Sequence, residues 1–144
     1  MTYEFKTMSA DEIDAFLADT RHAVMGTNRL DGSPQLSPVW YLHKEGMLYT
    51  SIYDKSAKCL NLKRDHRVTV CVDGVYPDAR YVVFYGTVEI VAEQSEWRDE
   101  IETAIAHRYH ESSAEAEQYL RETSTTGAVL LVISPQKILS GNYN

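Results

Sequence analysis

The chain holds only two cysteines in 144 residues, Cys59 and Cys71, and they form no CxxC pair. Each sits among apolar neighbours, so the expectation is two reduced, buried thiols in a cytoplasmic protein. Long apolar runs are missing too. The longest, Gly127–Ile133, falls far short of the roughly 20 residues a membrane helix needs. The N-terminus mixes charges with apolar residues, without the cationic start and greasy core of a secretory signal. Cations are outnumbered, 14 Lys and Arg against 21 Asp and Glu, for a net charge of −7. So acidic a chain is ill suited to nucleic acid, where affinity draws on many phosphate contacts. Neither nucleic acid nor membrane is expected as a partner. The GxSxG, P-loop, GxGxxG and HExxH signatures are absent, and no linker, repeat or low-complexity segment interrupts the chain. Residues 1–144 are expected to form one domain.

What is present alternates helical and extended signals. Ser9-Ala10-Asp11-Glu12 fits a capping box, with Met8 and Ile13 as its hydrophobic staple. Ile13, Phe16 and Leu17 then recur at helical spacing, and this helix is expected to end near Asp19. From there the period shortens. Ala23–Thr27 reads as a strand, Arg29–Gly32 as a turn, and Gln35–Leu42 as the return strand. Lys44-Glu45-Gly46 turns the chain into Met47–Ile52, which makes a three-strand meander. Ala57–Asp65 is expected to be helical with Ser56 as N-cap. Val68–Val72 and Arg80–Val91 read as strands, the second with Gly86 in its middle, where a bulge or a close approach is expected. Residues 95–109 are helical with Trp97, Ile101, Ala104 and Ile105 on one face. Ala114–Thr123 adds a helix turn or two, and Ala128–Ile133 a last strand. About six strands and three helices, mainly β with flanking helices (α+β), point to a closed or nearly closed antiparallel barrel.

The cations are unevenly placed. Lys55, Lys58, Lys63, Arg64 and Arg67 put five of the fourteen into thirteen residues. Lys58 and Asn61, three apart, share a helix face. Ser56 and the first free amides lie at the helix N-terminus, which favours an anion, and Lys55 sits just before. Two readings stand at this point: a phosphate anchor, or a solvated basic helix that forms ion pairs with the acidic C-terminal half. His107 and His110, three apart, read as solvated histidines near a helix end, with no metal assigned. Ten tyrosines, among them Tyr41, Tyr49, Tyr53, Tyr76, Tyr81 and Tyr85, offer walls for an aromatic ring or simply core and rim.

Two blocks resemble a known family. Ala23–Thr27, Asp31-Gly32-Ser33-Pro34 and Trp40-Tyr41 look like the first hairpin of the pyridoxamine 5'-phosphate oxidase-like split β-barrel proteins. Lys58-x-x-Asn61-Leu62-x-Arg64-Asp65-x-Arg67-Val68, followed by Gly86-Thr87-Val88-Glu89, is similar to their later segment. The resemblance covers residues 9–91 well and the C-terminal third loosely. The best-matching branch is the flavin/deazaflavin oxidoreductases. It implies a six-stranded antiparallel split β-barrel of the FMN-binding type, assembled as a homodimer with cofactors in clefts between subunits. It also implies coenzyme F-420 as cofactor (alternatively FMN) and a small-molecule substrate. The cofactor carries the hydride chemistry, so no catalytic side chain is assigned. A non-catalytic flavin or haem carrier on the same barrel is a further alternative. By the same resemblance the phosphate anchor falls on Lys55, Ser56 and Lys58, with Asn61 nearby. The strand ends lining the cofactor ring fall on Ser37, Pro38, Val39 and on Thr50, Ser51, Ile52. The chain departs from the pattern at Ser56 and Leu60, where relatives carry arginines, and at His66, where they carry proline. Ser134–Asn144 lacks the arginine/histidine segment of true pyridoxamine-phosphate oxidases, which argues against vitamin B6 oxidation.

Overall fold

The computed structural model describes residues 5–123 and 127–144. The opening helix, α1 (Ala10–Ala18), carries the capping box in full. Ser9 accepts from the Glu12 amide, and the Glu12 carboxylate accepts from the Ser9 amide at 3.2 Å. Phe16 and Leu17 are its buried stripe.

Strands β1 (His22–Asn28) and β2 (Pro34–Val39) form a hairpin whose turn needs the positive φ of Gly32. Strand β3 (Leu42–Lys44) and β4 (Met47–Tyr53) form a second, tight hairpin, with Glu45 and Gly46 both at positive φ. Helix α2 (Ala57–Arg64) leads to β5 (Arg67–Asp73) and β6 (Arg80–Val91). Helices α3 (Glu96–Arg108) and α4 (Ser113–Thr123) precede the long β7 (Ala128–Asn142). The sheet is antiparallel, in the order β2-β1-β5-β6-β7-β4-β3.

The sheet therefore has seven strands, not six, and the first three do not form a meander. The expected return strand Gln35–Leu42 is broken at Trp40-Tyr41. Its first part pairs with β1 and its second with β4, at opposite edges of the sheet. Two residues cannot span a flat seven-stranded sheet, since strands lie about 4.8 Å apart. The sheet must curl until its edges nearly meet, which makes an open antiparallel barrel.

Burial of Tyr41 causes the break. Its hydroxyl lies 3.0 Å from the carbonyl oxygens of both Leu17 and Asp19, at the C-terminal end of α1. The Arg108 guanidinium donates to the same carbonyls and to that of Ala18, so these C-terminal acceptors gain a cation from a distant helix. Tyr109 completes the junction: its hydroxyl donates to Arg21 O and accepts from the Tyr41 amide.

The interior is filled by Met25, Leu48, Val70, Phe84 and Leu131, closed by Phe16 and Leu17 from α1 and by Cys59 and Leu62 from α2. A second apolar layer lies outside, where Tyr49, Leu130 and Val132 pack under Ile101 and Ile105 of α3. That face of α3 is rotated from expectation, with Trp97 and Ala104 exposed and Arg98 buried. Arg98 donates to Ala92 O, Ala128 O and Glu102, clipping α3 to the ends of β6 and β7. The last strand runs to Asn142 rather than stopping at Ile133. A bulge at Tyr85/Gly86 lets it pass Pro135, and a Cβ at Gly86 would collide with the Ser134 carbonyl. Both cysteines are free, and burial pushes both thiols up. Among the described residues no helix is long and apolar enough to cross a membrane.

Removing the Tyr41 hydroxyl (Tyr41→Phe) should cost about 1–3 kcal/mol, because it strips a donor from buried carbonyls. Burial also pushes the Tyr41 phenol from its ordinary 10.0 up to about 12. The unfolded chain ionises this group first, so its contribution is intact below pH 10 and is lost as pH rises towards 12. Denaturant titrations should show stability falling across that window, less steeply in Tyr41→Phe; equal slopes would mean that Tyr41 does not carry this dependence.

Candidate functional site

The break at Trp40-Tyr41 leaves two free strand edges. One is β2, the outermost strand on its side. The other is the second half of β4: β3 covers only Met47–Tyr49, so Thr50–Tyr53 has no neighbour on that side. The two segments expected to line a cofactor ring, Ser37–Val39 and Thr50–Ile52, are thus the two lips of one split. Along β2 the side chains alternate, with Ser37 and Val39 turned inward and Pro38 outward. Along β4, Leu48, Thr50 and Ile52 point into the barrel, while Ser51 points out, its hydroxyl 3.5 Å from Glu102 of α3.

Polar atoms at the split lack partners. Ser37 Oγ, Thr50 Oγ1 and Asp54 Oδ1 are buried and hydrogen-bond to nothing among the described residues. Buried polar groups are ordinarily paired, and an orphan costs about 1–3 kcal/mol. Two of the three belong to the expected ring-lining set, so the split suits a ligand that brings hydrogen-bonding atoms of its own.

The expected anchor lies just beyond β4. Ser56 is the N-cap of α2: its hydroxyl accepts from the Cys59 amide at 3.3 Å and donates to Tyr53 O at 2.6 Å. Lys55 is exposed and Lys58 half-buried. Among the described residues neither makes an ion pair or a side-chain hydrogen bond, so no salt bridge ties them to the acidic C-terminal half. Both ammonium groups remain available beside a helix N-terminus. Asn61 behaves differently. It is buried, donating to Thr27 Oγ1 and accepting from Arg64, each at 3.1 Å. Its amide serves the packing of α2 on β1.

A polar groove of about 610 Å³ opens at the far end of α2, lined by Asn28, Arg29, Arg64, Asp65, His66 and Arg67 among others. Arg64 donates to Asn28 O at 2.7 Å. Arg67 grips Asp65 through two nitrogens, at 3.0 and 2.7 Å. Hydrogen bonds from Arg67 hold the Asp65 carboxyl well below the usual carboxylate range. Three arginines against one aspartate leave the groove positive in a chain that is negative overall.

Of the tyrosines, Tyr41 and Tyr49 are interior, while Tyr53, beside the β4 lip, is 48% exposed. Sequence reasoning missed the ring cluster at the closed end of the split. Trp40 stacks on Tyr109 with centroids 5.1 Å apart and meets His110 edge-on. His110 Nδ1 lies 2.7 Å from Ala106 O, and its ring packs on Tyr119. Only the spacing of residues 107–110 pointed there.

The pattern of the pyridoxamine 5'-phosphate oxidase family matches residues 9–140. The chain belongs to this family. Among solved structures it is similar to the conserved hypothetical protein Rv2991 from Mycobacterium tuberculosis, with 29% identity and a TM-score of 0.80 over 95% of this chain and 86% of that one. An F420 reductase superposes with a TM-score of 0.65 at 23% identity, over 87% of this chain and 94% of that one. A FAD-binding protein from Mesorhizobium loti gives 0.75 at 19% identity, over 97% and 99%. At those identities the last two show the shared fold alone. No curated protein matches the chain.

Because the Thr50 hydroxyl has no partner inside the chain, Thr50→Val should leave the unliganded protein as stable as before, or up to about 1 kcal/mol more stable. Lys58→Ala should stay within about 0.5 kcal/mol of wild type. A clear loss in chemical denaturation for either variant would mean that the side chain works for the fold.

Proposed function

We propose that the protein is a homodimeric oxidoreductase that binds coenzyme F-420 at the split and uses it to reduce a small organic substrate. The observation that carries this reading is the set of unpartnered polar atoms on the two lips, next to two lysines without internal partners at the start of α2. In this reading Lys55, Ser56 and Lys58 hold the anionic handle, and the lips Ser37–Val39 and Thr50–Ile52 orient the ring and keep water from it. The bound deazaflavin supplies the carbon that gives or takes hydride.

Two features favour a long acidic tail over the single phosphate of FMN. Lys63 and Arg64 add cations further along α2, Arg64 about 9 Å beyond Lys58 along the helix axis. The positive groove at Arg29, Arg64 and Arg67 then offers a tail of carboxylates somewhere to end.

The dimer is supported by a bare apolar face. Ladder partners place Pro38, Val24, Cys71, Val83 and Leu139 in one row across β2-β1-β5-β6-β7. Leu36, Gly26, Thr69 and Tyr85 form the next, and no element among the described residues covers these rows. Val24, Leu36, Tyr85 and Leu139 are 40–65% exposed, and a hollow of about 290 Å³ lies over Gly26. A second copy seated here would bury these rows and wall the split.

Titration with oxidised F-420 and with FMN tests the reading, with F-420 expected to bind more tightly and more weakly as salt rises. Lys58→Ala should weaken binding by about 1.5–3 kcal/mol, the range for a charge-assisted hydrogen bond. Replacing Arg29 and Arg67 together by alanine should weaken F-420 and leave FMN unchanged. Preference for FMN would move the assignment to a flavin enzyme. Leu36→Asp should sediment as a 16.4 kDa monomer, and a wild-type monomer that binds cofactor would sink the interface cleft.

A further inference from the structure

Asp54 is absent from the set of residues that the family resemblance implies, yet it holds one of the three orphaned oxygens. Its amide donates to Gly127 O at 3.0 Å, which extends the β4–β7 ladder one residue beyond Tyr53↔Ala128. The alternation through Leu48, Thr50 and Ile52 therefore carries on to Asp54, whose side chain turns to the barrel interior. Gly127 is fitted to this carboxylate. Its φ is +79, and a Cβ there would stand 2.9 Å from Asp54 Oδ1. A carboxylate oxygen only accepts hydrogen bonds when ionised, and among the described residues no group donates to Oδ1. Whatever satisfies it must bring an O–H or N–H.

Position narrows the donor. Asp54 stands between the lip Thr50–Ile52, where a ring would lie, and Lys55, Ser56 and Lys58, where its anionic handle would be held. On the other lip, β2, Ser37 turns inward and carries a hydroxyl that is also orphaned and can donate or accept. In flavins and deazaflavins alike the piece between ring and phosphate is a chain of hydroxyl groups. We propose that Asp54, with Ser37 of the other lip, is the receptor for the hydroxylated linker that joins the cofactor ring to its handle. This rests on the cofactor reading above but not on which of the two cofactors is bound.

Riboflavin, which has ring and linker but no phosphate, and lumichrome, which has the ring alone, isolate the linker; their 5-deaza counterparts serve equally. Fluorescence titration of the full-length protein should show wild type favouring riboflavin over lumichrome. Asp54→Ala should weaken riboflavin about tenfold or more, leave lumichrome unchanged, and melt no lower than wild type without ligand, since a buried unpartnered acceptor has gone. Where Asp54→Ala does not fold, Ser37→Ala should reduce the same preference two- to fivefold. Wild-type binding with the riboflavin preference intact in these variants would overturn the proposal alone. So would a lower melting temperature with unchanged affinity, which would make Asp54 a support for the start of α2. Failure of wild type to take up F-420 or FMN would overturn the cofactor reading and the proposal with it.

Discussion

The Tyr41 hydroxyl, held against the carbonyls that end α1, decides where this sheet opens. Had residues 35–42 continued as one strand, β2 would pair with β4 along its length and the barrel would close. Instead Tyr41 turns inward to the Leu17 and Asp19 carbonyls. Arg108 adds donors to the same acceptors and lies 4.9 Å above the Tyr41 ring. The cost of bending the strand is met by groups that α1 would otherwise leave exposed at its end. The consequence is geometric: two unpaired edges, one on either side of the break, face each other and leave polar side chains unsatisfied between them. Three of the four buried polar side-chain atoms left unpartnered among the described residues lie there, and the fourth is Arg108 Nε.

The charges divide along the same line. Arg21, Arg80, Arg98 and Arg108 are engaged inside the fold, donating to carbonyls or paired with Asp19, Asp78 and Glu102. Arginine suits that work, because its planar fork reaches several acceptors at once. Lys55 and Lys58 make no such contact and stand beside a helix N-terminus. A net charge of −7 keeps polyanions away from the rest of the surface, so a small anion meets an attractive field only near α2 and the groove beyond it.

Local signals were legible in the sequence wherever the physics is local. Ser9 with Glu12, Ser56 as N-cap, Gly32 in its turn and Gly86 at the bulge each concern groups a few residues apart, or a backbone position that only glycine tolerates. The break at Trp40-Tyr41 was not legible, because its cause is a hydrogen bond to residues more than twenty positions upstream and a cation from residue 108. The end of β7 was hidden for a similar reason. Ser134-Pro135 looks like a stop, and only the bulge opposite Gly86 lets the strand pass. The face of α3 was misplaced for the same reason: Arg98 takes a buried position because three acceptors, just past β6, in α3 and in β7, satisfy it. At the site, residue types near Lys55–Lys58 were readable, whereas the inward turn of Asn61 depends on Thr27, across the α2–β1 contact.

Membership in the pyridoxamine 5'-phosphate oxidase family fixes the barrel and leaves chemistry to what lies between its edges. The central claim is that the cofactor ring lies in the gap between β2 and the second half of β4. Hydrogen–deuterium exchange with and without saturating F-420 tests it most directly. The free-edge amides of 50–53 should become protected on binding, together with those opening α2; on the β2 lip the edge position is Pro38, which has no amide to exchange. Protection confined to other segments, with 50–53 exchanging as before, would contradict the claim.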